Sequence, residues 1–356
     1  MTIRVDISNS ESVAKSHVYS TRYTVDWLAL ATLHELHQGD VDGAIDSIAS
    51  LLALARFQGR ALGAAPQYLR LRTVEGGLKM TWETLQAIGA TESQLARLQS
   101  IWETDNFTDE ILESLEQARA QRLSWLDQNR SLKGFWAVCK SQMSCCHDCG
   151  DCWHLDDLWF DARAICRVLS WRLAWFDQDK LQALKDWQAC LDDARVAVPQ
   201  GDRSRFHFDE WTLRRRRSRY DFWRLLQTYY LEPDGEMMVM QPMRAETERR
   251  MALVAIALKR YELAHGSWPD SLSELTPSLL AEVPRDLMNG RPLRYRRNAD
   301  STFTLYSVGQ NCADDGGSVE RDLDSSPYGG WFWRTCDAVW PMPATAEEVA
   351  AIQRQR

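Results

Sequence analysis

From Ala245 to Gly317 the chain carries five consecutive local signals that together admit few folds. An amphipathic pattern from about Ala245 to His265 predicts a helix preceded by Pro242 and stopped by Gly266. A tight Trp268-Pro269 turn follows, and Ser271-Leu-Ser-Glu274 reads as the capping box of a short helix bracketed by Pro277 and Pro284. Pro292 to Arg297 and Thr302 to Ser307 alternate as two strands paired across Asn298-Ala-Asp-Ser301, and Asp337 to Pro341 fits a last strand. The second strand runs into Asn311-Cys-Ala-Asp-Asp-Gly-Gly317. Hard oxygen donors on a glycine-rich turn suit Ca²⁺, which takes many oxygens, including carbonyls that only a tightly bent backbone aims inward.

The preceding residues have a different period. After a polar N-terminal segment expected to be flexible (1–20), Trp27, Leu28, Leu30, Leu33 and Leu36 fall at helical spacing. Gly39-Asp40 breaks the pattern, and Asp40 is placed to cap a second helix carrying Ala44, Ile45, Ile48, Leu51, Leu52 and Leu54. Helices are also predicted over 67–88, over 91–103 behind the capping box Thr91-Glu-Ser-Gln94, over 108–128, 155–195 and 211–230. Helical hairpins joined by short turns are the unit of tetratricopeptide-like arrays, but no period of about 34 residues is sustained. The expected fold is therefore an irregular, mainly α helical-hairpin array over 21–235, followed by a small α+β domain with an antiparallel sheet over 242–343 and a tail over 344–356. Glu232-Pro-Asp-Gly235 marks the expected boundary.

Composition limits the function classes. In 356 residues, 45% hydrophobic and 26% charged content is that of a globular protein with a sizeable core, and a net charge of -8 argues against a nucleic-acid partner. No stretch approaches the roughly 20 apolar residues that span a bilayer. Met1-Thr-Ile-Arg-Val-Asp6 is not followed by the apolar core of a signal peptide, so the expectation is either a cytoplasmic protein or a chain lacking an N-terminal targeting segment. A protein partner is expected, and membrane association would come through such a segment or through that partner.

Nine cysteines, an odd number, preclude complete intramolecular pairing. The densest group is Cys139, Cys145, Cys146, His147, Cys149, Cys152 and His154. Cys149 and Cys152 with Cys145 or Cys146 and a histidine can supply four ligands to Zn²⁺. In an oxidising compartment the same residues instead form disulfides pinning a loop between helices, with Cys166 and Cys190 in reach, and free thiols are the third reading. Asp156, Asp157 and Asp161 superficially match the Mg²⁺ motif of helical terpenoid synthases but have no second acidic motif. His34 and His37 read as surface or packing histidines, Arg214 to Arg217 as a solvated stripe, and Trp171 and Trp175, one turn apart, as packing residues. No phosphate loop, nucleophile elbow or His-Glu-x-x-His pair occurs in the chain.

The quoted C-terminal residues carry a resemblance. Ala257-Leu-Lys-Arg-Tyr261, His265-Gly-Ser-Trp-Pro-Asp-Ser-Leu272, Val283-Pro-Arg-Asp286, Asn289-Gly-Arg-Pro-Leu-Arg-Tyr295, Leu305-Tyr-Ser-Val-Gly309 and Asp314-Asp-Gly-Gly317 stand in an order that resembles the globular part of the type II secretion major pseudopilin. The helical part is similar to the region preceding such a domain in uncharacterised proteins of planctomycete and verrucomicrobial type. The first resemblance implies a Ca²⁺ loop held by Asp314, Asp315 and Asp337, with Cys336 where the family often has a further acid. It also implies that Cys312 and Cys336 come close. A disulfide there would close a loop of about 25 residues, contribute about 3 kcal/mol and place the protein outside the cytoplasm. The prepilin-peptidase site and long apolar helix of true pseudopilins are lacking, so polymerisation as a pilin is not expected.

Two function classes follow as expectations. The first is a non-enzymatic structural or protein-binding component of the bacterial cell envelope, with Trp331, Trp333 and Trp340 forming a contact surface or, for at least one of them, packing in the core. The second is a metal- or thiol-dependent enzyme or redox protein built on Cys139 to His154.

Overall fold

The structure, a computed structural model, describes residues 10–59, 64–130, 166, 169–207, 224, 235–299, 302–318 and 337–340. Among these residues it is mainly α-helical with one small antiparallel sheet. The helices are α1 (Ser10–His37), α2 (Val41–Gly59), α3 (Ala64–Leu85), α4 (Glu92–Glu103), α5 (Ile111–Asn129), α6 (Phe176–Gln200) and α7 (Gly235–His265). Strands β1 (Arg294–Arg297), β2 (Phe303–Ser307) and β3 (Ala338–Trp340) follow in that spatial order. No helix among the described residues is long and apolar enough to cross a membrane.

The chain forms two compact units, one of Met1–Ile111, Ala197–Arg205 and Met240–Arg356, the other of Leu112–Val196 and Phe206–Val239. This partition differs from the linear division at 235–242: the first unit combines the N-terminal helices with the C-terminal α+β part.

In the first unit α1 begins at Ser10, inside the segment expected to be flexible, because the helix continues N-terminally through the polar residues; α1 and α2 pack across the turn at Gln38–Asp40, and α3 packs on both. Asp40 caps α2 by accepting the Gly43 N–H through Oδ1 at 2.9 Å. Ala44, Ile45, Ile48, Leu51, Leu52 and Ala55 are fully buried, the inward stripe that helical periodicity dictates. Thr91 and Gln94 form the expected reciprocal cap of α4, with Gln94 N donating to Thr91 Oγ1 at 3.3 Å and Thr91 N to Gln94 Oε1 at 3.0 Å. The Trp102 ring lies against α3 at Gly77, where a Cβ would stand at ordinary contact distance, 3.5 Å from the indole and 3.6 Å from Leu52. The indole Nε1 donates to Thr81 Oγ1 at 2.9 Å.

Helix α7 starts at Gly235, ten residues before the expected Ala245, and Pro242 lies inside it. Proline in a helix interior forfeits one hydrogen bond and costs about 3 kcal/mol. Burial of Met238, Val239, Met240 and Met243 around it offsets this, at roughly 1.5–3 kcal/mol per fully buried side chain. Every residue from Met251 to Leu258 is buried, so α7 has no solvent face there. Gly266 ends the helix at φ 72°, its N–H bonding Glu262 O at 2.7 Å.

Glu246, fully buried on α7, organises this unit. Its Oε2 accepts Arg249 Nε at 2.7 Å and Phe107 N at 3.2 Å, and its Oε1 accepts Arg249 Nη2 at 2.7 Å and Arg250 Nε at 2.9 Å. Arg249 Nη1 also donates to Trp102 O at 2.6 Å. Burial opposes ionisation of Glu246, but the Arg249 hydrogen bonds and charge, then Arg250, outweigh it and hold the carboxyl below the usual range.

In the second unit Leu126, Trp171, Phe176 and Ala183 form a core against which Leu123, Trp125 and Trp175 pack. Trp171 begins a π-helical turn, Trp171–Trp175, and donates to Asp179 Oδ2 at 2.7 Å. The reading of Trp171 and Trp175 as packing residues therefore holds, and Trp187 is buried as well. Lys180 with Asp127 and Arg195 with Glu116 join α6 to α5.

Candidate functional site

The sheet positions the acid-glycine loop. Residues Arg294 to Arg297 pair antiparallel with Phe303 to Tyr306, Arg294 opposite Tyr306 and Arg297 opposite Phe303, and β3 adds to β2 with Leu305 opposite Trp340. Glu274 fastens the turn beneath, accepting the Asp270 and Ser271 N–H groups at 2.8 and 3.0 Å; the element it caps is a short 3₁₀ helix, Leu272–Leu275. Trp268 packs edge-on against Phe303 at 4.9 Å, and Tyr295 donates to Pro269 O at 2.7 Å.

Asp286 pins the far side. It is fully buried; its Oδ1 accepts Met288 N at 2.9 Å and Ser307 Oγ at 2.8 Å, and its Oδ2 accepts Val308 N at 2.9 Å. Burial pushes this carboxyl up, and its hydrogen bonds and Arg294 only partly counter it. One side chain thus ties the turn before β1 to the exit of β2, where the loop begins.

Gly309, Gly316 and Gly317 all have positive φ, as does Cys312 at 58°. For Gly317 the requirement is also steric, since a Cβ would lie 3.0 Å from Thr304 Cγ2. Asp314 accepts Arg294 Nε through Oδ2 at 3.0 Å, and Tyr306 Oη and Gly316 N through Oδ1, each at 3.1 Å. Burial works against its charge, but the Gly316 N–H and Arg294 hold the carboxyl below its usual value. Asp315 is exposed and gives its backbone N–H to Asp337 Oδ2 at 3.0 Å.

Asp337 closes the loop from the start of β3. Its Oδ2 accepts both Asp315 N and Gly317 N, the latter at 2.7 Å. Its Oδ1 is buried with no hydrogen-bond partner among the described residues. Burial raises this carboxyl's pKa, the two N–H groups oppose the rise, and the negative charges of Asp314 and Asp315 add to it.

The structure therefore joins Asp337 to the backbone of 315–317, while the three carboxylates do not converge: among the described residues no three His, Cys, Asp or Glu side chains form a group that could hold a metal ion. Asp314 is turned to Arg294. What fits a hard cation is the orphaned Asp337 oxygen beside a bent glycine backbone, since Ca²⁺ is coordinated by carboxylate and carbonyl oxygens alike.

Cys312 donates its thiol to Met288 O at 3.0 Å; burial pushes the thiol up, Arg203 lowers it, and Asp286 and Asp202 raise it further. Cys336 lies outside the described residues, as do Cys139, Cys145, Cys146, His147, Cys149, Cys152, His154, Asp156, Asp157, Asp161, Arg214 to Arg217, Trp331 and Trp333. Cys166 is exposed, and Cys190 is buried with its thiol pushed up to about 12, which suppresses thiolate chemistry. Trp340 is buried, matching the core alternative for one of the three C-terminal tryptophans. His34 and His37 are both exposed on α1.

Sequence reasoning missed the roles of Asp286 and Glu246. The signal for Asp286 is local: an Asp four residues before a glycine, directly after Pro284-Arg285, is placed to bond the N–H groups of a turn. Glu246 offers only an acid ahead of Arg249-Arg250 at helical spacing. Comparison of the chain with protein-family models, with curated proteins and with solved structures finds no match.

Proposed function

We propose that the protein is a non-enzymatic structural or protein-binding component of the bacterial cell envelope. In this reading the helices before the sheet form an irregular tetratricopeptide-like array for partner contact. The part built on α7 and the sheet is pseudopilin-like and is fastened by Ca²⁺ at the loop from Asp314 to Asp337, with Cys312 and Cys336 paired beside it outside the cytoplasm. The observation that carries the Ca²⁺ assignment is Asp337: a buried carboxylate with two backbone N–H groups on one oxygen and, among the described residues, no partner on the other. A bound cation would neutralise that oxygen and offset the burial that, ahead of the charges of Asp314 and Asp315, raises the Asp337 pKa.

The test is thermal unfolding of the full chain with Ca²⁺ and with a Ca²⁺ chelator. A melting temperature that rises with Ca²⁺, and does not rise with it in Asp337→Asn, supports the reading. Equal melting temperatures in the two conditions discard the Ca²⁺ assignment.

A further inference from the structure

Among the described residues β1 pairs with β2 on one side and has no strand on the other. The bond from Asn298 N to Thr302 O, 2.8 Å, continues the ladder and fixes its phase. Arg294, Arg296 and Asn298 exchange bonds with the β2 side, so the N–H and C=O groups of Leu293, Tyr295 and Arg297 point away from it. On that outer side Leu293 N donates to Pro284 O at 3.0 Å and Asp286 N to Arg291 O at 2.7 Å, so residues 284–286 cover the edge as far as Leu293. Beyond it, the outward groups of Tyr295 and Arg297 have no hydrogen-bond partner among the described residues. The side chains around this edge are basic. Arg285, Arg291, Arg296 and Arg297 are exposed, on a chain whose net charge is -8. Asp314 takes Arg294, and Asp270, itself 85% exposed, takes Arg297. Arg291 and Arg296 have no acidic partner among the described residues, and Arg296 reaches only Asn298 Oδ1 at 3.4 Å and Gly316 O at 3.5 Å.

We infer that this edge is a docking site for an extended acidic segment of a protein partner, which adds to β1 as a further strand. An open strand edge is a template for main-chain pairing, and the N–H and C=O groups of Tyr295 and Arg297 are free to take part in it. The arginines select by charge, repelling basic strands and attracting acidic ones. Successive side chains leave a strand on opposite faces, so Arg296 and Arg297 flank the edge on both. Residues directly opposite each other in a ladder share a face, so two adjacent acids in the incoming strand meet the two guanidiniums together. The exposed pair between Arg297 and Asp270 contributes little, and an incoming acid can share that arginine. So few main-chain bonds with two exposed ion pairs make a weak, transient contact. The site goes beyond the partner contact assigned to the helices and does not depend on Ca²⁺ binding.

Amide hydrogen exchange of the full chain, resolved by residue, is the first measurement: Tyr295 and Arg297 should exchange faster than Arg294 and Arg296. The probe is a fluorescein-labelled, end-capped Val-Thr-Glu-Glu-Thr-Val peptide followed by anisotropy. It should bind the full chain with a dissociation constant of about 0.1–1 mM at low salt, bind more weakly at about 0.5 M salt, and slow exchange at Tyr295 and Arg297. Arg296→Glu should weaken binding about tenfold. Arg297→Pro, which removes the outward N–H as well as the charge, should bind about three- to tenfold more weakly than Arg297→Ala. The same peptide N-methylated at its four central residues keeps both acids and should not bind. That comparison uses the parent protein, so it decides the matter even where a substitution unfolds the sheet. Slow exchange at both outward amides in the free chain overturns the inference, because the edge is then covered. No anisotropy change up to about 2 mM peptide overturns it too. Equal binding of the N-methylated peptide does the same, leaving charge attraction without strand pairing.

Discussion

Asp337 holds Gly317 through a 2.7 Å hydrogen bond on Oδ2, while its buried Oδ1 has no partner among the described residues. An asparagine can keep both backbone N–H groups on its carbonyl oxygen and puts a neutral amide NH2 where the unpartnered charged oxygen stood. Asp337→Asn should therefore be as stable as the parent without Ca²⁺, or more stable by about 1 kcal/mol, since an unsatisfied buried charged atom has been removed. The raised pKa adds a sign. A carboxyl whose folded value lies above its unfolded one favours folding below the unfolded value, and that contribution is lost as pH rises through the folded value. Any advantage of the variant should thus shrink as metal-free samples are taken from neutral to mildly acidic pH, read by urea unfolding.

Glu246 has the opposite linkage. Its lowered pKa contributes stability that is present above the ordinary glutamate range and lost as pH falls through the folded value. Glu246→Gln leaves the Arg249 guanidinium, only 10% exposed, without its counter-charge, and should cost about 3–5 kcal/mol at neutral pH. Its acid-unfolding limb should be flatter than the parent's. Equilibrium denaturation at several pH values measures both effects.

Asp286 uses both oxygens as acceptors, so an amide in its place must present a donor to an N–H or hydroxyl donor. Asp286→Asn should cost about 2–3 kcal/mol and loosen the exit of β2, seen as faster amide hydrogen exchange at Val308.

Two glycines should respond in opposite directions. At Gly77 a Cβ meets Trp102 and Leu52 at ordinary contact distances, so Gly77→Ala should stabilise by about 0.5–1 kcal/mol through helix propensity. Gly317 combines φ 73° with a 3.0 Å approach to Thr304, and Gly317→Ala should destabilise by about 1–2 kcal/mol. Calorimetry of the two variants measures both shifts.

Much of this fold was legible where its cause is local. Asp40, Thr91 and Glu274 act on backbone N–H groups within four residues, and the two strands over 294–307 lie either side of a short turn. The start of α7 was misread because Pro242 and Gly235 are local stop signals, whereas the burial that overrides them comes from tertiary packing. Glu246 bonds a backbone group 139 residues away at Phe107, and Arg249 one 147 away at Trp102, so no window of sequence contains the reason for either. At the loop, the acids and glycines could be read, but the diversion of Asp314 to Arg294 depends on which face of β1 the arginine occupies.

Helix α7 is buried on every side from Met251 to Leu258, and Arg260 and Gln99 bond each other at 2.8 Å while Gln99 reaches on to Leu279 O at 2.7 Å. The sheet and its loop are therefore not a portable cassette. A gene fragment that begins at Pro242 would leave an apolar rod without its neighbours, and any graft or recombination that moves the loop to another scaffold must carry α4 along with it.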